Sequence, residues 1–392
     1  MNIKKRFSGM NRMEFLKAGL VGTTTALIGG NALAEVLQYA ASSEPFNFPV
    51  PAYRTLGRTG LKITVVSFGA MMVPEPEILK IAFDQGINYV DTARKYMDGK
   101  NEEIVGKALK GRRDKVYVAT KTLPTSQSKQ DIIRDVETSL KALETDYVDV
   151  IQLHNLTGKE RVYIPETREA LTRLREQGKV RFFGVTTHKN QPEVLNALVD
   201  DKDRFFDTAL VAYNFESGPE IGEAIARLAK ADVGVIAMKT QAGGYKPEQL
   251  DALSPHQAAL KWVLQNPNVT MAIPGMKSLA HLKENIAVMG MPLKRADAGI
   301  LRRYHAAVQP YYCDLCGTCE GTCPKGIDIS TVNRSLMYAE GYRNHGLALS
   351  TYREIPQEVN AAACEDCQRC VASCVRGLNI AARMERARNI LV

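Results

Sequence analysis

Val116-Tyr-Val-Ala-Thr-Lys121, then Asp131 to Glu144, then Val148-Asp-Val-Ile-Gln-Leu-His154, is the stretch that decides the fold. Two short β-branched runs, each ending on a titratable residue, flank a segment with helical periodicity. The same unit repeats on both sides. Strands are expected at 65–69, 89–92, 116–121, 148–154, 182–186, 209–214, 234–239 and 271–274. Helical patterns lie between them, clearest at 76–85, 131–144, 167–176, 219–231 and 256–265. A hairpin-like start, Tyr53 to Thr64, precedes the first unit, and a helical stretch from Lys294 to Arg303 follows the last. Eight strand–helix alternations imply an α/β fold, a parallel sheet closed into a (β/α)8 barrel. A doubly wound open sheet is the alternative, but its G-x-G-x-x-G fingerprint after the first strand is absent.

In such a barrel, chemistry sits where strands end and loops begin. Asp91 ends the second strand and Tyr96 follows in its loop; Lys121 ends the third and His154 the fourth. Singly, each has a bland reading as a cap, a solvated end or a core histidine. Together, on adjacent strands, they suit carbonyl reduction. Hydride arriving at a carbonyl carbon leaves an alkoxide that needs a proton, and Tyr96 can supply it. A free phenol has a pKa of about 10, which a nearby ammonium lowers. Asp91 can hold Lys121, and His154 can orient the carbonyl.

Tyr89-Val-Asp-Thr-Ala-Arg-Lys-Tyr96 resembles the D-T-A-x-x-Y motif of the aldo/keto reductases, and Lys121 and His154 match that family's other two catalytic positions. The likeness runs from Tyr53 to about Pro292. It implies a TIM barrel, NADPH, and a catalytic tetrad of Asp91, Tyr96, Lys121 and His154. The cofactor positions depart more. Gly184-Val-Thr186-Thr187-His188 stands where the family has G-V-S-N, keeping hydroxyls but losing an amide. Asn214 matches a strand-ending Y-N, Leu210 replaces a glutamine, and Met238 falls where a tyrosine stacks on the nicotinamide. Lys239, Thr240, Gly243 and Gly244 are candidates for the pyrophosphate. Lys277 and Asn285 lie in a segment similar to the one that holds the 2′-phosphate and adenine, where Lys277 could supply a point charge.

All eight cysteines follow the barrel. Cys313, Cys316, Cys319 and Cys323 read C-x2-C-x2-C-x3-C, and Cys364, Cys367, Cys370 and Cys374 repeat it. This run binds [4Fe–4S] clusters in bacterial ferredoxins, the fourth cysteine serving the other cluster. Zinc sites space their cysteine pairs further apart, and a disulfide scaffold belongs to small secreted chains. Two clusters are expected, in a mostly helical ferredoxin-like domain spanning 293–392, with helices at 329–341 and 379–392. The last is expected to be a surface or barrel-docking helix. With the barrel at 53–292, the resemblance extends to the branch of the superfamily with a C-terminal ferredoxin-type domain.

The chain has 392 residues and a net charge of +8. Half of that sits in the first 34 residues, where Lys4, Lys5, Arg6, Arg12 and Lys17 face only Glu14. No nucleic-acid footprint follows from this. Residues 1–34 read as an export signal, with 35–52 as a linker. Arg12-Met13-Glu14-Phe15-Leu16-Lys17 resembles the twin-arginine motif with Met13 in place of the second arginine, and Ala32-Leu-Ala34 is a cleavage-type triplet. The segment from Ala18 to Ala34 is too short and polar to anchor in a membrane. Clusters are built in the cytoplasm, so a periplasmic destination requires export of the folded protein; an uncleaved helix on a cytoplasmic protein is the alternative.

Three functional readings remain open at this level. One is a redox enzyme acting on a carbonyl, alcohol or sugar-like small molecule and exchanging electrons with a partner protein through its clusters. Another is an NADPH-dependent reductase with structural clusters. The third is an electron-transfer subunit whose barrel is a docking scaffold. Hydride carries two electrons and a cluster takes one, so the first reading calls for a splitter, usually flavin.

Overall fold

The computed structural model describes residues 49–245, 254–364, 367 and 369–392; the export signal and most of the linker lie outside the described residues. Strands β1 (Tyr53–Thr55) and β2 (Lys62–Thr64) form an antiparallel hairpin. Eight parallel strands follow in sequential order: β3 (Phe68–Gly69), β4 (Tyr89–Asp91), β5 (Tyr117–Lys121), β6 (Val148–Leu156), β7 (Val180–Thr187), β8 (Thr208–Ala212), β9 (Gly234–Met238) and β10 (Met271–Ala272). The two outer strands of that order meet. Val66 bridges Ala272, Gly69 bridges Gly275, and Ser67 N donates to Ala272 O at 2.9 Å. The sheet is therefore a closed barrel. Its first and last strands are shorter than their apolar runs, because single bridges replace a continuous ladder at the seam.

The helices between the strands are α1 (Pro76–Asp84), α2 (Lys100–Leu109), α3 (Lys129–Leu143), α4 (Pro165–Glu176), α5 (Gln191–Asp200), α6 (Pro219–Lys230), α7 (Pro255–Gln265) and α8 (Leu279–Ile286). Proline opens α1, α4, α6 and α7, where its missing N–H costs nothing. Helix α2 buries polar Asn101 and Glu102 in its first turn ahead of apolar Val105, Ala108 and Leu109. Asn101 Nδ2 donates to Ala70 O at 2.7 Å, and Thr120 Oγ1 donates to Glu102 Oε1 at 2.6 Å.

Two apolar layers hold the barrel. Residues such as Ile78, Val105, Val136, Leu171, Val194 and Ile225 join helices to the outer strand faces. Leu56, Leu61 and Ile63 of the hairpin plug the interior beneath Tyr89, Ala119, Val150 and Ile236. The plug closes the end of the barrel opposite the strand C-termini, leaving that other end for a site.

After the barrel come α9 (Arg295–Val308), α10 (Ile329–Glu340), α11 (His345–Tyr352) and α12 (Ile380–Leu391). Helix α9 packs Ile300 and Leu301 on Ala258 and Ala259 of α7. Helices α10 and α12 share a separate core with Val332, Leu336, Ile380, Met384 and Leu391. The terminal helix docks on α10, where Arg383 ties it through Asn333 Oδ1 at 3.1 Å and Glu340 Oε2 at 2.9 Å, and the same Arg383 bonds Tyr245 of the barrel.

Candidate active site

The strand ends converge on one cavity of about 480 Å³, within the range of small-molecule sites. Asp91, Tyr96 and His154 line it. Lys121 lies just behind, fully buried, donating to Asp91 Oδ1 and to Thr92 O at 2.7 Å. Gln152 Nε2 donates to Asp91 Oδ2 at 2.8 Å. The carboxylate is therefore held from two sides and can only face the ammonium. The ammonium in turn sits 4.7 Å from the centroid of the Tyr96 ring, and His154 meets that ring edge-on at 6.1 Å.

This lattice sets the protonation states. Burial pulls the Lys121 ammonium down, but Asp91 and Tyr96 outweigh it and leave it raised. Burial pushes the Tyr96 phenol up, and Lys121 pulls it only partway back. Lys121 lowers the phenol as expected, but burial is the larger effect and leaves it raised. The Asp91 carboxylate adds a smaller upward push. Tyr96 is a proton-bearing acid here. Burial, with Lys121, Lys95 and Arg334 adding to it, holds His154 well below its usual value, so the ring is neutral.

The sequence-chosen cofactor residues divide. Lys239, Lys277 and Asn285 line the cavity. Thr186, Thr187 and Asn214 are buried but do not line it. Thr186 Oγ1 accepts from Asn155 N at 2.7 Å, and Thr187 Oγ1 lies 2.8 Å from Leu156 O. Asn214 Nδ2 donates to Lys239 O at 3.0 Å and to Tyr312 Oη at 2.8 Å. These three shape the strand ends and present their neighbours. What reaches the cavity is His188 and Asn155, paired at 3.1 Å. Asn155 adopts the left-handed conformation that asparagine tolerates. Its amide returns at the end of β6 the group missing at the end of β7. The His154-Asn155 pair ending an apolar strand was the signal available.

Among the cavity-lining polar atoms of the barrel, Thr240 Oγ1 is buried without a partner, while the His154 ring bonds the backbone of Thr122. Buried polar groups are rarely left so unless a ligand or water completes them. Gly243 and Gly244 beside Thr240 take positive φ, which lets backbone line the cavity closely. Further along, Gln241 Nε2 donates to Asn285 Oδ1 at 2.7 Å, and Glu284 bonds Ser254. The lining runs from the tetrad through Thr240 and Gly244 to Lys277 and Asn285, a layout suited to an elongated ligand.

The roof of this cavity comes from the region between the cysteine runs. Arg334 and Tyr338 of α10, Tyr342 beyond it, and Leu347 and Thr351 of α11 all line it. Gly341 is seated so tightly that a Cβ there would stand 2.1 Å from Gly243 O. Lys277 Nζ donates to Tyr342 O at 3.2 Å, and Lys95 bonds Glu354. None of the roof residues was singled out from sequence as part of a site. The forty residues separating the cysteine runs were the available sign.

Among the described residues, no three His, Cys, Asp or Glu side chains converge as a single metal ion would require. An iron–sulfur cluster, with an iron behind each thiolate, needs wider spacing. The cysteines group across the runs. Burial and the nearby Cys374, Glu320 and Cys316 push the Cys319 thiol up to about 12. Burial and the nearby Cys367, Cys323 and Cys370 raise Cys364. Each fourth cysteine thus sits with the other run, the pairing the spacing predicts. Thiols crowded this way hold their protons unless a cation supplies positive charge, so the donor sets fit clusters. The first run touches the barrel, with Gly317 against Lys189 and Lys189 bonded to Glu320.

Comparison with known proteins agrees with this geometry. The Aldo/keto reductase family profile matches residues 74–249 and 247–305, and the 4Fe-4S dicluster domain profile matches 305–375. The uncharacterized oxidoreductase YqkF of Bacillus subtilis is 30% identical over 280 residues, covering 59% of this chain and 89% of its own. The methylglyoxal reductase YeaE of Escherichia coli is 29% identical over 248 residues, covering 59% of this chain and 85% of its own. A Klebsiella pneumoniae aldo-keto reductase solved in complex with NADPH superposes with a TM-score of 0.56 at 28% identity, over 65% of this chain and 96% of that one. The chain therefore belongs to the aldo/keto reductase family, as an oxidoreductase whose barrel is followed by a 4Fe-4S dicluster domain.

Proposed function

We propose that the barrel interconverts a small carbonyl compound and its alcohol with NADP(H), and that the domain after it carries two [4Fe–4S] clusters. The observation that carries this is Lys121 locked between Asp91 and Tyr96 at one wall of the cavity. NADP(H) bound along Asn155, Thr240, Lys277 and Asn285 would supply hydride chemistry. Tyr96 Oη donates the proton that a developing alkoxide takes. Lys121, held by Asp91, stabilises the phenolate left behind. The neutral His154 offers a hydrogen bond that orients the carbonyl oxygen. Cys313, Cys316, Cys319 and Cys374 would hold one cluster and Cys364, Cys367, Cys370 and Cys323 the other, each supplying one-electron chemistry.

Two readings of the clusters are supported by different observations. Contact of the first run with Lys189, next to the cavity residue His188, favours electron exchange with the barrel and a redox partner. The roof formed by α10 and α11 favours a structural role, in which the clusters fold the segment that covers the cavity. Anaerobic titration of cluster-loaded protein with NADPH, read by EPR, separates them. Reduced-cluster signals would establish electron exchange and require a splitter such as flavin. Clusters that stay oxidised while NADPH binds would leave the structural role. Export of the folded protein to the periplasm is proposed from the leader alone, and cell fractionation with and without Arg12→Lys tests it.

A further inference from the structure

The roof of the cavity carries positive charge that the barrel chemistry does not use. Arg334 is 9% exposed, lines the cavity, and its Nε has no hydrogen-bond partner. Lys239 lines the same wall. Its ammonium is 3.2 Å from Tyr338 Oη and 4.7 Å from the centre of that ring. Among the described residues, neither Arg334 nor Lys239 forms an ion pair, whereas Lys95 at the rim is bonded to Glu354 and Lys121 to Asp91. Arg334 and Tyr338 are four apart on α10 and so share a face. Two cations held together without a carboxylate are costly to bury, and the strain appears in their neighbours. Burial and Arg334 lower Lys239. Lys239 and Arg334 outweigh burial at Tyr338 and lower its phenol.

We infer that Arg334, with Lys239 and Tyr338, forms a subsite for an anionic group, carboxylate or phosphate, on the carbonyl substrate. The guanidinium fork matches either group in planar, paired hydrogen bonds. Arg334 lines the same cavity as Tyr96 and His154, so one ligand can meet all three. The cluster domain therefore sets substrate choice, a task that the seating of Gly341 on Gly243 makes geometrically firm. This inference rests on the cavity holding a carbonyl substrate, as proposed above.

The test is equilibrium binding, by anaerobic calorimetry on cluster-loaded, NADP-saturated full chain. One pair of probes is 4-carboxybenzaldehyde and its methyl ester. The other is glyceraldehyde 3-phosphate and glyceraldehyde. Wild type should bind the anionic member of at least one pair about tenfold more tightly or better, and the pair that shows it distinguishes carboxylate from phosphate. Arg334→Gln should erase that ratio and Arg334→Lys should restore part of it. Iron content and circular dichroism show whether these variants fold; Lys239→Gln, on the barrel side, should weaken the ratio by a smaller factor if they do not. No charge preference in wild type overturns the proposal. So does an Arg334→Gln protein that keeps the preference but binds NADP more weakly, because Arg334 would then serve the dinucleotide phosphates. Turnover of the same probes is read separately. Charge-selective binding without reduction would sink the carbonyl reading and leave the subsite standing; reduction without charge selectivity would do the reverse.

Discussion

The two walls of the cavity follow opposite electrostatic plans. On the tetrad wall, Lys121 is buried against Asp91, and the pair is closed by Gln152 and Thr92. On the opposite wall, Arg334 is buried and Lys239 half-buried, and neither is bonded to a carboxylate among the described residues. One lysine is raised by its surroundings and the other lowered. A charge paired within the fold prepares a chemical step at fixed geometry. A charge left unpaired waits for its counter-ion to come from outside. Both cost desolvation, but the first recovers it on folding and the second only on binding.

Replacing the proton donor should break the tetrad wall most severely. Tyr96→Phe is expected to lower kcat for carbonyl reduction by roughly 10²–10⁴-fold, with the NADP dissociation constant within about twofold of wild type. Retained turnover in steady-state assays would remove Tyr96 from its role.

Breaking the paired charge tests whether that wall is sealed at folding. Asp91→Ala leaves Lys121 buried and uncompensated, which should cost about 3–5 kcal/mol in a denaturant titration. A loss below about 1 kcal/mol would mean that water reaches Lys121 and that the contrast between the walls is smaller than drawn. At the rim, Glu354→Gln removes the partner of Lys95, a pair about one-third exposed on each side. Solvent screening limits its effect to about 1 kcal/mol or less, and a larger change in hydrogen exchange over α11 would reveal a rim pair that holds the roof.

The smallest expected effect sharpens the comparison by its flatness. A raised Tyr96 stays protonated beyond its ordinary pKa of about 10, and a depressed His154 stays neutral even below the ordinary value of about 6.5. Reduction should therefore vary little between about pH 7 and 9. The sign for stability follows from the same burial. The folded state disfavours charged His154, so its contribution is present above the ordinary histidine range and is lost as pH falls below it. A kcat that climbs steeply across the window would indicate that a deprotonated Tyr96 is the working form.

Much of the tetrad wall was legible in sequence because Asp91, Lys121 and His154 lie at strand ends and Tyr96 in the loop after one of them, and a barrel puts all strand ends on one rim. The cysteine runs were legible because cluster ligation is local. Asn155 and His188 were harder, since they replace a family amide by a neighbour one strand over. Helix α2 was faint because Asn101 and Glu102 bury polar groups where periodicity looks for apolar ones. The threonines at 186 and 187 bond the backbone at the end of β6, a cross-strand contact that no spacing along the chain announces.

Local periodicity and fixed spacing suffice to read the barrel, the titratable residues at its strand tops and the two cluster motifs from the chain alone. Tertiary structure decided which way each charge leans. It brought Arg334 to Lys239, ninety-five residues earlier in the chain, laid α10 and α11 over the mouth, and let burial overrule Lys121 at Tyr96. Desolvation and Coulomb terms depend on what packs around a group from distant segments, and no spacing along the chain encodes that.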